Sequence, residues 1–97
     1  MLRVAYTPAA EKYFKKLKSQ DLKNAYLKAI ISLREDSSIG REKTGDLRGI
    51  FSLDLYWKGV NYEIAYRIYL DDDGEIILIL LAGTRENFYT ELKRYMK

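Results

Sequence analysis

The chain has neither cysteine nor histidine among its 97 residues. Without cysteine, no disulfide framework and no thiolate metal site can form. Without histidine, it lacks the commonest general base, the usual zinc ligand and the usual partner of a serine or cysteine nucleophile. Acid–base chemistry is left to Asp, Glu, Lys, Arg and Tyr. The single proline and six scattered glycines exclude a glycine-rich phosphate loop and a flexible linker. The longest apolar run, Ile76 to Ala82, falls far short of the ~20 residues that a membrane span needs. The opening residues Met1 to Tyr6 carry one basic side chain, no long apolar core and no small-residue cleavage site, so a signal peptide is not expected and a cytoplasmic location is. No segment repeats another.

What is present is the composition of one folded domain. Hydrophobic residues make up 47% of the chain and aromatics 13%, against which disorder is not sustainable. Residues 1–97 therefore form a single domain, burying roughly two-thirds of the unfolded chain's surface. The net charge of +3 is unevenly placed: residues 1–34 hold eight Lys or Arg and two acids, the remainder nine and twelve. The basic first third suits an acidic partner or a phosphate backbone, or is the solvated side of a helix.

The hydrophobic spacing predicts an α+β fold. Met1 to Tyr6 reads as a short strand. Thr7-Pro8 then supplies an N-cap and a proline at the first helical position, with a helix to about Lys18. After a break at Ser19 to Asp21, Leu22, Ala25, Tyr26, Ala29, Ile30 and Leu33 follow a 3.6-residue period, which makes an antiparallel helical hairpin with the first helix. Asp36 to Gly45 reads as a polar loop. From Phe51 the period becomes two: Phe51, Leu53, Leu55 and Trp57 alternate with polar or exposed partners, and so do Tyr62, Ile64, Tyr66 and Ile68. Lys58-Gly59-Val60-Asn61 and Asp71-Asp72-Asp73-Gly74 mark two tight turns. The acidic turn lacks the spacing of a calcium loop. Ile76 to Ala82 is apolar on both faces, as a covered strand is. Glu86 to Lys97 closes as a helix, giving a short N-terminal strand, a helical hairpin, a three-stranded antiparallel meander and a C-terminal helix.

Three segments carry a resemblance: Asp46-Leu47-Arg48-Gly49 leading into a strand, the tyrosine-rich Asn61 to Ile68, and Ala82-Gly83-Thr84-Arg85 followed by a helix with Tyr89. Together and in this order they resemble the RelE/ParE superfamily of toxins from type II toxin–antitoxin systems, along the whole chain. The resemblance implies a RelE-like fold and a cognate antitoxin that wraps the helical hairpin or adds a strand or helix to the sheet. It further implies one of two activities: ribosome-dependent mRNA cleavage that arrests translation, or non-enzymatic inhibition of DNA gyrase. An inactive toxin fold kept as a binding module is a third possibility. No cofactor, metal or membrane is implied.

RNA cleavage needs a base for the 2′-hydroxyl and cations for the phosphate. Arg85 matches the family's arginine after the central strand, and its planar fork suits a phosphate. Tyr89 matches the helix tyrosine, able to stack on a base or assist proton transfer. The best-known RNA-cleaving branch carries two lysines and an arginine where this chain has Ser52, Asp54 and Glu63. Some relatives pair a glutamate base with an arginine, so Glu63 with Arg67 and Arg85 is the candidate catalytic set. Arg48, Lys58 and Tyr56 are the candidate RNA-binding residues, with Arg48 or Lys58 replacing the lost cations. The structural alternative is an ion-pair network of Asp54, Glu63 and Arg67 on a solvated sheet face. Tyr56, Tyr69, Tyr89 and Tyr95 are expected outside, and Tyr6, Tyr13, Tyr26, Tyr62 and Tyr66 inside.

Overall fold

Local chemistry fixes where the first two helices start. A computed structural model describes residues 1–96. Strand β1 (Arg3–Tyr6) runs into Thr7, whose hydroxyl accepts from the Ala10 N–H at 3.1 Å and caps helix α1 (Pro8–Lys16). Ser19 repeats the device at 3.1 Å on Leu22 for helix α2 (Gln20–Glu35). Two single turns of 3₁₀ helix, Ser37–Ile39 and Gly45–Leu47, flank a two-residue strand β2 (Arg41–Glu42). Strands β3 (Phe51–Trp57), β4 (Val60–Asp71) and β5 (Gly74–Thr84) form the meander, and helix α3 (Arg85–Met96) follows directly. The expected last helical residue, Lys97, lies outside the described residues.

Among the described residues, the strands make one five-stranded sheet in the order β1-β5-β4-β3-β2. Only β1 is parallel to its neighbour, pairing Arg3 with Ile76 and Tyr6 with Ile79. The β3–β4 turn holds Lys58 at φ 48° and Gly59 at φ 78°, the double left-handed turn that matches strand twist. Glycine is at ease there; Lys58 is the strained partner.

Both faces of the sheet are covered, which explains the unbroken apolar run in β5. Helices α1 and α2 bury Ala10, Leu22, Tyr26, Ile30 and Leu33 against Ile64, Tyr66, Ile77, Ile79 and Ala82. On the other face, Phe88 and Leu92 of α3 pack with Leu47, Ile50, Ala65, Leu80 and Leu81. Leu80 and Leu81 face the same way because β5 carries a bulge: Ala65 pairs with Leu81, Tyr66 with Ile79, and Leu80 is skipped. The carbonyl of Leu80 accepts the Thr7 hydroxyl at 2.7 Å, so the extra residue is not left unpaired. The bulge also inverts the parity of the strand's end and places Gly83 opposite Glu63, on the α3 face.

The sequence reading differs in one place. The segment read as the loop Asp36 to Gly45 contains β2, a strand too short to leave a period. The expected N-terminal strand β1 and the unexpected β2 flank the meander, one on each side, to complete the five-stranded sheet.

Candidate active site

The face of the hairpin beneath the start of α3 is a cleft of about 400 Å³. Its walls come from Arg41, Lys43 and Thr44 around β2, Ser52 and Asp54 of β3, Glu63 of β4, and Arg85 and Tyr89 of α3. Pairing of Arg41 with Ser52, and of Asp54 with Glu63, puts these side chains on one side of the sheet.

Glu63 is the centre of the cleft. It is only 3% exposed, and a carboxylate at that depth needs charge compensation. Lys43 Nζ lies 3.5 Å from Oε2 and Arg85 Nε 3.6 Å from Oε1. The Lys43 ammonium also donates to the Tyr89 hydroxyl at 2.9 Å, with its Nζ 4.1 Å from the ring centroid. Arg85 is 61% exposed, so one side of its guanidinium stays open to an incoming anion. Two cations from separate parts of the chain thus flank one carboxylate, with the Tyr89 hydroxyl joined to it through Lys43.

Asp54 stands directly across the hairpin from Glu63 and is exposed. Two carboxylates face to face repel, so the cations on Glu63 also offset this pairing. The cleft walls include three cations (Arg41, Lys43, Arg85) and three anions (Glu42, Asp54, Glu63), an even balance.

The sequence candidates separate accordingly. Glu63, Arg85 and Tyr89 come together. Arg67 does not join them: it shares the strand face with Glu63 but lies four residues on, ~13 Å at 3.3 Å per residue, beside Gly49. The ion-pair network of Asp54, Glu63 and Arg67 is therefore replaced by one with Lys43 and Arg85. Glu63 and Ser52, read as exposed, are buried under the cleft walls. Arg48 is at the rim, in a shallow depression shared with Lys43 and Thr44. Lys58 sits at the hairpin tip with Nζ 4.8 Å from the Trp57 ring centroid, away from the cleft. Tyr56 is 68% exposed on the outer stretch of β3, and Tyr69, Tyr89 and Tyr95 are exposed as expected.

Lys43 and Arg41 are the residues that sequence reasoning missed. Both lie in a stretch with no hydrophobic period, and nothing local marks a charge there as inward-facing. The one available signal is the need of Glu63 for a cation once its strand is known to be covered.

Comparison with known proteins places this geometry in a family. A model of the ParE-like toxins of type II bacterial toxin–antitoxin systems matches residues 4–93. No curated protein matches by sequence. Among solved structures, a chain of the RelBE2 toxin–antitoxin complex from Mycobacterium tuberculosis is 26% identical over 87% of this chain and 98% of its own, with a TM-score of 0.67. Free Escherichia coli RelE, as a double arginine-to-alanine mutant, superposes with a TM-score of 0.67 at 17% identity, covering 96% of each chain. The YoeB/ParE toxin of Agrobacterium tumefaciens gives 0.67 at 10% identity over 87% of this chain and 99% of its own; at such identities these last two speak for the fold alone. With the family model spanning nearly the whole chain and the RelE fold reproduced, the chain belongs to the ParE-like toxins of the RelE/ParE superfamily, from type II bacterial toxin–antitoxin systems.

Proposed function

We propose that the chain arrests translation by cleaving mRNA on the ribosome, without a metal ion, and that the cleft around Glu63 is its active site. The observation that carries this reading is the buried Glu63 carboxylate held between Lys43 and Arg85, with the Tyr89 hydroxyl on Lys43. The chemistry balances with these groups alone. Glu63 takes the proton of a 2′-hydroxyl, whose oxygen attacks the adjacent phosphorus. Arg85 and Lys43 exchange the carboxylate for the phosphate oxygens as negative charge builds there. The bond to the 5′-oxygen breaks and that oxygen takes a proton from Tyr89, leaving a 2′,3′-cyclic phosphate and a 5′-hydroxyl. Tyr89 already accepts from Lys43, which leaves its own O–H free to donate.

The partner that this reading requires is a cognate antitoxin in the cytoplasm. The RelBE2 structure is a complex of that kind. On this chain, an apolar groove of about 340 Å³ between α1 and α2, lined by Phe14, Tyr26, Leu27 and Ile30 and rimmed by Lys15 and Lys23, suits an amphipathic acidic segment.

One observation favours a second reading, inhibition of DNA gyrase by binding. The even charge balance of the cleft lacks the cationic excess that a polyanion rewards. Induced expression with primer extension on abundant mRNAs separates the two. Growth arrest with discrete mRNA cleavages, lost in Arg85→Ala, is expected. Arrest with intact mRNA and gyrase-dependent DNA damage would move the assignment to the second reading, and no arrest to an inactive binding module.

A further inference from the structure

We propose that Tyr66 is a positioning residue for this cleft: its hydroxyl clamps the chain at Gly40 and thereby sets where Arg41 and Lys43 enter. The functional half of the proposal rests on the RNA-cleavage reading; the clamp itself does not.

Strand β2 cannot hold itself. Its ladder has two residues, Arg41 opposite Ser52 and Glu42 opposite Phe51. A pairing this short specifies register weakly, and a slip of one residue would turn Arg41 and Lys43 away from the cleft. Tyr66 supplies the missing constraint from the opposite face of the sheet. Its ring is fully buried and stacks on Phe51 at 5.6 Å, 23° from parallel. Its hydroxyl accepts the Gly40 N–H at 3.0 Å and donates to the Ser37 carbonyl at 2.9 Å. One phenol therefore ties both ends of the 3₁₀ turn that delivers the chain to β2. Burial raises the Tyr66 pKa above its ordinary value, so the hydroxyl keeps the proton that this double role needs.

The fit at Gly40 is close. A Cβ there would stand 2.8 Å from the Tyr66 Cζ and Cε1 and nearer still to the hydroxyl, so only glycine lets the backbone come this close. Beyond the clamp, Glu42 accepts the Gly49 N–H at 3.1 Å and the Lys43 N–H donates to the Ile50 carbonyl at 2.8 Å. Alternation then puts Gly40 on the helical-hairpin face, against Tyr66, and Arg41 and Lys43 on the cleft side. Tyr66 touches none of the reacting groups; it acts through the position of Lys43.

The test is Tyr66→Phe, which keeps the ring, its burial and its stacking, and removes only the clamp. Amide exchange at Gly40 to Lys43 should quicken by roughly tenfold or more while β4 and β5 stay protected. On programmed ribosomes, kcat for mRNA cleavage should fall about tenfold to a hundredfold with KM little changed, the cost of a catalytic group displaced by about 1 Å. In a Lys43→Met background the same change should cost nothing further, because the group it positions is gone. Gly40→Ala, which attacks the clamp from the other side, should give the same exchange pattern and the same split. Unchanged exchange at Gly40, or faster exchange with wild-type cleavage, would overturn the proposal, as would full additivity with Lys43→Met. If the wild-type protein cleaves no mRNA, the nuclease reading fails by itself, and the exchange result still decides whether the clamp exists.

Discussion

Lys43 Nζ lies 3.5 Å from a carboxylate oxygen of Glu63 and 2.9 Å from the hydroxyl of Tyr89, so one side chain from beside a two-residue strand joins the central sheet to the last helix. Its removal should be felt well beyond its own loop. Lys43→Met leaves Glu63 buried, with Arg85 as its remaining cation. Breaking one side of a buried pair commonly costs about 3 kcal/mol. Glu63→Gln should cost less, because a neutral amide can stay buried with Lys43 turned to Tyr89. Urea unfolding of the two variants checks the order. Equal stability for Lys43→Met and the wild type would mean that water, not lysine, compensates Glu63.

Thr7 serves two elements at once, capping α1 through Ala10 and satisfying the Leu80 carbonyl at the β5 bulge. Thr7→Val keeps the volume and removes both bonds. The loss should be about 2 kcal/mol, the sum of a cap and a buried hydrogen bond. For a domain of this size that lowers Tm by roughly 10 °C. A melt within 2 °C of wild type would show that neither bond matters.

The half-buried Tyr13 and the buried Tyr26 share a 2.7 Å hydrogen bond between their hydroxyls. Burial pushes up the Tyr26 pKa, with the Tyr13 bond adding to it, and burial also raises Tyr13. A raised pKa in the folded state means that the fold binds the proton more tightly than the unfolded chain. The stability from these phenols is therefore complete below the ordinary tyrosine value of 10.0 and is lost as pH rises above it. Chemical unfolding followed from pH 8 to 11 should show a steep alkaline loss, shallower in Tyr26→Phe. The phenylalanine variant should itself lose about 1 kcal/mol at neutral pH, leaving Tyr13 unpaired. An alkaline limb identical in both proteins would remove Tyr26 as its cause.

Much of this fold could be read directly because its signals are local. Thr7-Pro8, the period of Leu22 to Leu33, and Lys58-Gly59 between two alternating strands each specify an element without help from the rest of the chain. The two-sided burial of β5 was legible in the same way, from its unbroken apolar run. What could not be read depends on distant contacts. Strand β2 exists only because Phe51 and Ser52 offer it an edge. The bulge at Leu80 has no sequence mark, yet it decides that Gly83 faces Glu63. Of the candidate site, Arg85 and Tyr89 stand at motif positions, whereas Glu63 and Arg67 rest on the glutamate–arginine pairing of some relatives, which says nothing of the distance between them along β4. Lys43 had neither a motif nor a period.

The most direct measurement is cleavage of a defined mRNA by purified protein on reconstituted ribosomes, comparing wild type with Glu63→Gln. The account predicts discrete cuts by the wild type and a rate lower by about a hundredfold or more in the variant, the usual contribution of a general base, with the fold intact by circular dichroism. Equal cleavage by a folded Glu63→Gln protein would contradict the assignment of Glu63 as the base and reduce its ion pairs with Lys43 and Arg85 to a structural role.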